Sequence, residues 1–135
     1  MFEPPSAEAR AESPFKGKKG VIRIIHAFFN SLAGLKDAWR HESAFRQELL
    51  LAAILLPVAF LVNANAAERA MLVASVLQVI VVELLNTGVE VAIDRISFDH
   101  HSLSKRAKDI GSAAVFVALT LCVTVWALVL PGTLE

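Results

Sequence analysis

The stretch VIVVELLNTGVEVAID, Val79 to Asp94, decides how this chain is read. Its apolar residues make it the second half of a helix that would cross a bilayer, yet it carries Glu83, Asn86, Glu90 and Asp94. Placing one ionised side chain near the centre of a bilayer costs roughly 2.5 to 3.5 kcal/mol on insertion scales, so two glutamates in one span need a use. On a helix advancing about 100° per residue, Glu90 falls about 20° short of two turns from Glu83, and Asp94 about 20° beyond three. The three acids therefore share one stripe, and Asn86 lies within about 60° of it. Asp94 marks the aqueous end, Glu90 lies close to the headgroups, and Glu83 is about 16 Å deeper.

The rest of the chain suits a membrane setting. Of 135 residues, 56% are hydrophobic and 19% charged, and the formal net charge is zero. With a positive mean hydropathy, that is more apolar than a soluble core of this size requires. No strongly basic surface points to nucleic acid, and no such partner is expected. The single cysteine, Cys122, excludes an intramolecular disulfide and a cysteine zinc cluster. Residues 1–20 mix prolines, acids, small residues and a basic cluster without the continuous apolar core of a cleaved signal, and read as a disordered cytoplasmic tail. The GKKG at Gly17 to Gly20 lacks the spacing of a phosphate loop and reads as a basic patch near anionic headgroups.

Working outward from the acidic stripe, residues 21–135 form one membrane domain. Ile22, Ile25, Phe28, Phe29, Leu32, Leu35 and Trp39 recur at three-and-four spacing, which predicts an amphipathic surface helix over 21–40. Apolar runs predict transmembrane helices over about 44–62, 70–93 and 110–130, the first kinked at Pro57 and the last ended by Pro131 and Gly132. Asn63 to Arg69 reads as a short polar turn. The fold class is thus an all-α integral membrane protein with a surface helix and three spans. Basic residues gather before the first span and between the second and third, leaving only Arg69 in the intervening turn. By the positive-inside rule the N-terminus is cytoplasmic.

Other polar groups converge on that same side. Glu42 and Glu48 lie at the mouth of the first span, and Lys108, Asp109 and Ser112 at the mouth of the third. Carboxylates from two helices suit Mg²⁺, which is bound through one or two carboxylates plus substrate phosphates. Lysine and arginine at that level would hold the phosphates, and a deeper glutamate would accept a proton from a lipid alcohol. Together these parts make a phosphoryl-transfer site at a membrane surface. The alternatives are acids that relay protons in a small carrier, or acids that lock helices in an oligomer.

Three motifs carry a resemblance. ESAFRQE (Glu42 to Glu48), VELLNTGVEVAIDRI (Val82 to Ile96) and HSLSKRAKDIGSAAV (His101 to Val115) resemble the small prokaryotic diacylglycerol kinases of the bacterial inner membrane, over about Val21 to Leu130. The resemblance implies a homotrimer that uses MgATP to phosphorylate diacylglycerol to phosphatidate among membrane lipids. It implies that Glu83 is the general base and that Glu42 and Glu90 hold the metal that bridges the ATP phosphates. Lys108, Asp109, Asp99 and His101 would bind nucleotide, with Asn30 on the surface helix. Arg23 would touch phosphate or lipid, while Glu48, Asn86 and Ser112 would support the base and the lipid hydroxyl. Asn30 stands where close relatives often carry an aromatic residue, and Asp99 where they carry a longer glutamate. DHH at Asp99 to His101 reads as a solvated loop rather than a zinc site. Undecaprenol kinases resemble the same family, so a polyprenyl alcohol is the rival substrate.

Overall fold

A computed structural model describes residues 20–96 and 101–134. The expected tail, apart from Gly20, and Asp99 lie outside the described residues. Within them all regular structure is helical: α1 (Val21–His41), α2 (Ser43–Leu61), α3 (Ala66–Ile96), α4 (Ser102–Val129) and a 3-10 turn at Leu130–Thr133. Three segments, Ser43–Leu61, Ala66–Ile96 and Ser102–Thr133, are long and apolar enough to cross a membrane. The chain divides into two compact units, Met1–Lys36 and Asp37–Glu135. In the first, residues 21–36 are exposed, Phe28 and Phe29 meet edge to face at 5.9 Å, and Ser31 Oγ donates to the Ala27 carbonyl at 2.9 Å.

In the second unit, one residue separates α1 from α2. Glu42 is extended at φ −108° and ψ 113°, while its N–H still reaches the Ala38 carbonyl at 2.9 Å. A helix end leaves its last carbonyls without intrahelical donors. Arg46 supplies them, its Nη1 donating to the carbonyls of Trp39 at 2.9 Å and Arg40 at 3.3 Å. The break at Glu42 is therefore pinned by a guanidinium one turn into the next helix.

The helices differ from their expected bounds where polar residues extend them. α2 runs through Pro57, whose missing N–H takes the helical donor from the Ala53 carbonyl. α3 starts at Ala66 rather than after Arg69, because Asn65 and Glu68 cap it reciprocally. Glu68 N–H donates to Asn65 Oδ1 at 3.0 Å, and Asn65 N–H donates to Glu68 Oε2 at 2.9 Å. α4 begins at Ser102 rather than Ile110: His101 Nδ1 accepts from the Leu103 N–H at 3.2 Å, and Lys105 pairs with Asp109 one turn on at 2.6 Å. Hydropathy marks where hydrocarbon begins, whereas capping and charge pairs carry the backbone past it.

α3 packs against both α2 and α4. The shared core holds Ala52, Ala59, Leu72, Val76, Val79, Ala118, Cys122 and Trp126. Lipid tails are as apolar as leucine, so spanning helices associate through close packing and hydrogen bonds, for which small residues are suited. Ala52, Ala59 and Ala118 provide the close approach, and Ser75 Oγ donates to the Leu72 carbonyl at 2.9 Å and to Cys122 Sγ at 3.8 Å. Large side chains such as Leu61, Phe116 and Leu128 point outward. An exposed apolar shell of this extent suits acyl chains rather than water.

Candidate functional site

α3 turns its acidic stripe inward at one level and toward water at the next. Glu83 is 4% exposed, although Val81 and Leu85, its near neighbours on the helix, face outward. Asn86, Glu90 and Asp94 are half-buried. Asn86 Nδ2 donates to Glu90 Oε1 at 3.1 Å, so the amide tethers one carboxylate of the stripe. Glu83 feels the charges of Glu90 and Glu42, and Glu48 feels that of Glu83. Glu42, Glu48 and Glu90 thus each lie within electrostatic reach of Glu83.

Each carboxylate reaches the cluster for a local reason. Glu42 sits on the extended residue before α2 and makes no side-chain capping hydrogen bond there, which leaves its carboxylate to other chemistry. Glu48, further along α2, lines a shallow apolar groove with Leu51, Leu55, Val76, Val79 and Leu119. Its Oε2 is buried with no hydrogen-bond partner, an arrangement that costs stability and is found where a group is held for use.

Lys108 on α4 closes the aqueous side. Its Nζ contacts Asp94 Oδ1 at 2.6 Å, joining the end of α3 to α4. Asp94, read in the sequence only as the end of the stripe, is the residue that positions Lys108. No local spacing announces that pair, because the partners lie on different helices. Asp109 is engaged instead by Lys105 along α4, and the Nδ1 of His101 is used to cap that helix. Ser112 is exposed beside Gly111, the point where Asn86 meets α4. Arg23 and Asn30 are exposed residues of the first unit.

Among the described residues, no three His, Cys, Asp or Glu side chains come together as a metal cage. The carboxylates around Glu83 offer only oxygen donors. Oxygen donors in ones and twos, completed by phosphate oxygens, are the chemistry of Mg²⁺ rather than of zinc or copper.

Comparison with known proteins bears on this arrangement. The prokaryotic diacylglycerol kinase profile matches residues 29–130. The chain is 52% identical to the diacylglycerol kinase of Pseudomonas aeruginosa, over 89% of this chain and 98% of that protein. It is 46% identical to the diacylglycerol kinase of Haemophilus influenzae, over 79% of this chain and 91% of that one. With the diacylglycerol kinase of Escherichia coli K12 the identity is 42%, over 82% and 91%.

Proposed function

The chain belongs to the prokaryotic diacylglycerol kinase family and is a diacylglycerol kinase, and from that premise we propose direct in-line transfer of the ATP γ-phosphoryl group to the free hydroxyl of diacylglycerol. The products are phosphatidic acid and ADP. The observation that carries this reading is Glu83, a buried carboxylate on the same helix as Glu90 and Asp94, the last paired with Lys108 of α4.

In the proposed step the Glu83 carboxylate takes the hydroxyl proton as that oxygen bonds to the γ-phosphorus and the bridging oxygen leaves with ADP. No phosphoenzyme forms. Glu42 and Glu90 would hold Mg²⁺, which when bound neutralises charge on the phosphates. Lys108, held by Asp94, offers a cation to the same phosphates. Glu48 in the lining of the apolar groove, with Ser112, orients the lipid hydroxyl. Positioning and fixed charge account for most of the acceleration in phosphoryl transfer, so the role of this scaffold is to hold these groups still.

The asymmetry of basic residues supports a cytoplasmic N-terminus, with the site at that face of the bacterial inner membrane. Three helices enclose little polar volume, which supports a homotrimer in which a neighbouring copy completes each site. The diacylglycerol kinase names of the relatives give no support to the polyprenol alternative.

Purified protein in mixed micelles with Mg²⁺, labelled ATP and either diacylglycerol or a polyprenol tests the reading. Labelled phosphatidic acid is expected, with little labelled polyprenyl phosphate. The reverse preference would overturn the substrate, and label retained on the protein would overturn direct transfer.

A further inference from the structure

We propose that Gly111 is a positioning residue for the reaction, setting the Asn86 amide so that it holds Glu90; the functional consequence rests on the kinase reading above. Asn86 lies where α3 crosses α4. A β-carbon built on Gly111 would run into Asn86 Oδ1 and lie 3.2 Å from Asn86 Cγ. That oxygen is buried and accepts no hydrogen bond, while the other end of the amide donates to Glu90 Oε1 at 3.1 Å. The orientation is forced by chemistry. A carboxylate only accepts, so the amide nitrogen must face Glu90. The oxygen must then occupy the space that the missing side chain of Gly111 leaves, where the Cα–H group is its neighbour and a weak C–H···O contact is available.

Gly111 therefore provides a slot one atom deep for the back of the Asn86 side chain. What it does not provide is equally informative. The three atoms nearest to such a β-carbon are all in the Asn86 side chain, with no backbone of α3 among them. Alanine at 111 would be accommodated by rotation of Asn86, keeping the helix pair but withdrawing the amide from Glu90. The fold would survive and the site would not. Gly88 makes the control: it lies on α3 two residues beyond Asn86, and a β-carbon there meets nothing within 4 Å.

Two measurements on the full-length protein in micelles test the proposal. The chain has four asparagines, Asn30, Asn63, Asn65 and Asn86, so ¹⁵N-asparagine labelling resolves the Asn86 side-chain amide directly. Gly111→Ala is expected to move that amide pair while Gly88→Ala leaves it in place. In the kinase assay Gly111→Ala is expected to lower kcat/KM for MgATP by about tenfold or more, with the KM for diacylglycerol unchanged. In an Asn86→Ala background, adding Gly111→Ala should cost nothing further, because a residue that acts only through Asn86 shows no additivity. An unmoved Asn86 amide, or full additivity of the two substitutions, would overturn the proposal. If Gly111→Ala fails to fold, the double variant must fold, since the collision is with the deleted side chain; failure of both also overturns it. A wild-type protein without diacylglycerol kinase activity would refute the kinase reading, and the amide measurement would still decide whether Gly111 sets Asn86.

Discussion

At the turn between α2 and α3, the side chains of Asn65, Glu68 and Arg69 are all paired with backbone groups. Arg69 folds back so that its Nε donates to the Ala59 carbonyl at 3.2 Å and its Nη2 to those of Val62 at 3.4 Å and Ala64 at 3.1 Å. Its guanidinium also stands 6.0 Å from the Phe60 ring centroid. Asn65 and Glu68 cap α3 beside it. Toward the other end of the same helix the accounting is reversed. Glu83 is buried and feels other acids, Glu48 Oε2 and Asn86 Oδ1 are buried without partners, and Lys108 is committed to Asp94. One end uses its polar groups to close the chain; under the proposed function the other keeps them for a substrate. Unpaired buried polar atoms cost stability.

The contrast can be broken by substitution at either end. Glu83→Gln keeps the shape and removes the base, so phosphatidic acid formation should fall by about 10² to 10⁴-fold, the range of general base catalysis. Because the amide relieves a crowded buried charge, the thermal midpoint in micelles should hold or rise. A variant that kept wild-type turnover would remove Glu83 from the mechanism. Arg69→Ala should do the opposite: removing three hydrogen bonds to carbonyls, of which that of Val62 keeps the Ala64 N–H as a donor, is expected to cost about 2 to 3 kcal/mol in thermal or denaturant unfolding, with turnover per folded molecule preserved. Loss of turnover without loss of stability would mean that the turn belongs to the site after all.

Smaller changes sharpen the same division. Asn65→Ala removes one half of the capping box and should destabilise by about 1 kcal/mol, read as a lowered unfolding midpoint. Gly88→Ala places a methyl group in open space on a helix and should stabilise by about 0.5 to 1 kcal/mol. Destabilisation there would show that a neighbouring copy or lipid headgroup packs against that face.

Much of this was legible in the residues before any coordinates. The three spans follow from apolar runs of bilayer length, and the shared face of Glu83, Asn86 and Glu90 follows from helical periodicity, since both depend on local geometry alone. The capping box was also readable from Asn65 and Glu68, three residues apart, but a polar turn with short side chains invites the simpler reading of a loop. The extension of α4 back to Ser102 was masked for a related reason: LSKRAKD is too charged for hydrocarbon, and helix propensity is a weak prior against that polarity.

What the sequence determined by itself is the membrane class, the number of candidate spans, the shared stripe of acids on α3 and, through its motifs, the family. Those properties are one-dimensional, fixed by hydropathy and by a repeat of 3.6 residues. Only the tertiary structure decided which charges find each other: Lys108 with Asp94 rather than with a glutamate, Arg69 with backbone rather than solvent, and Asn86 against the bare backbone of Gly111. Such pairs depend on how closely helices distant in sequence approach and on the rotation at which they meet. Side-chain volumes along the whole contact set that rotation, and no local pattern encodes it.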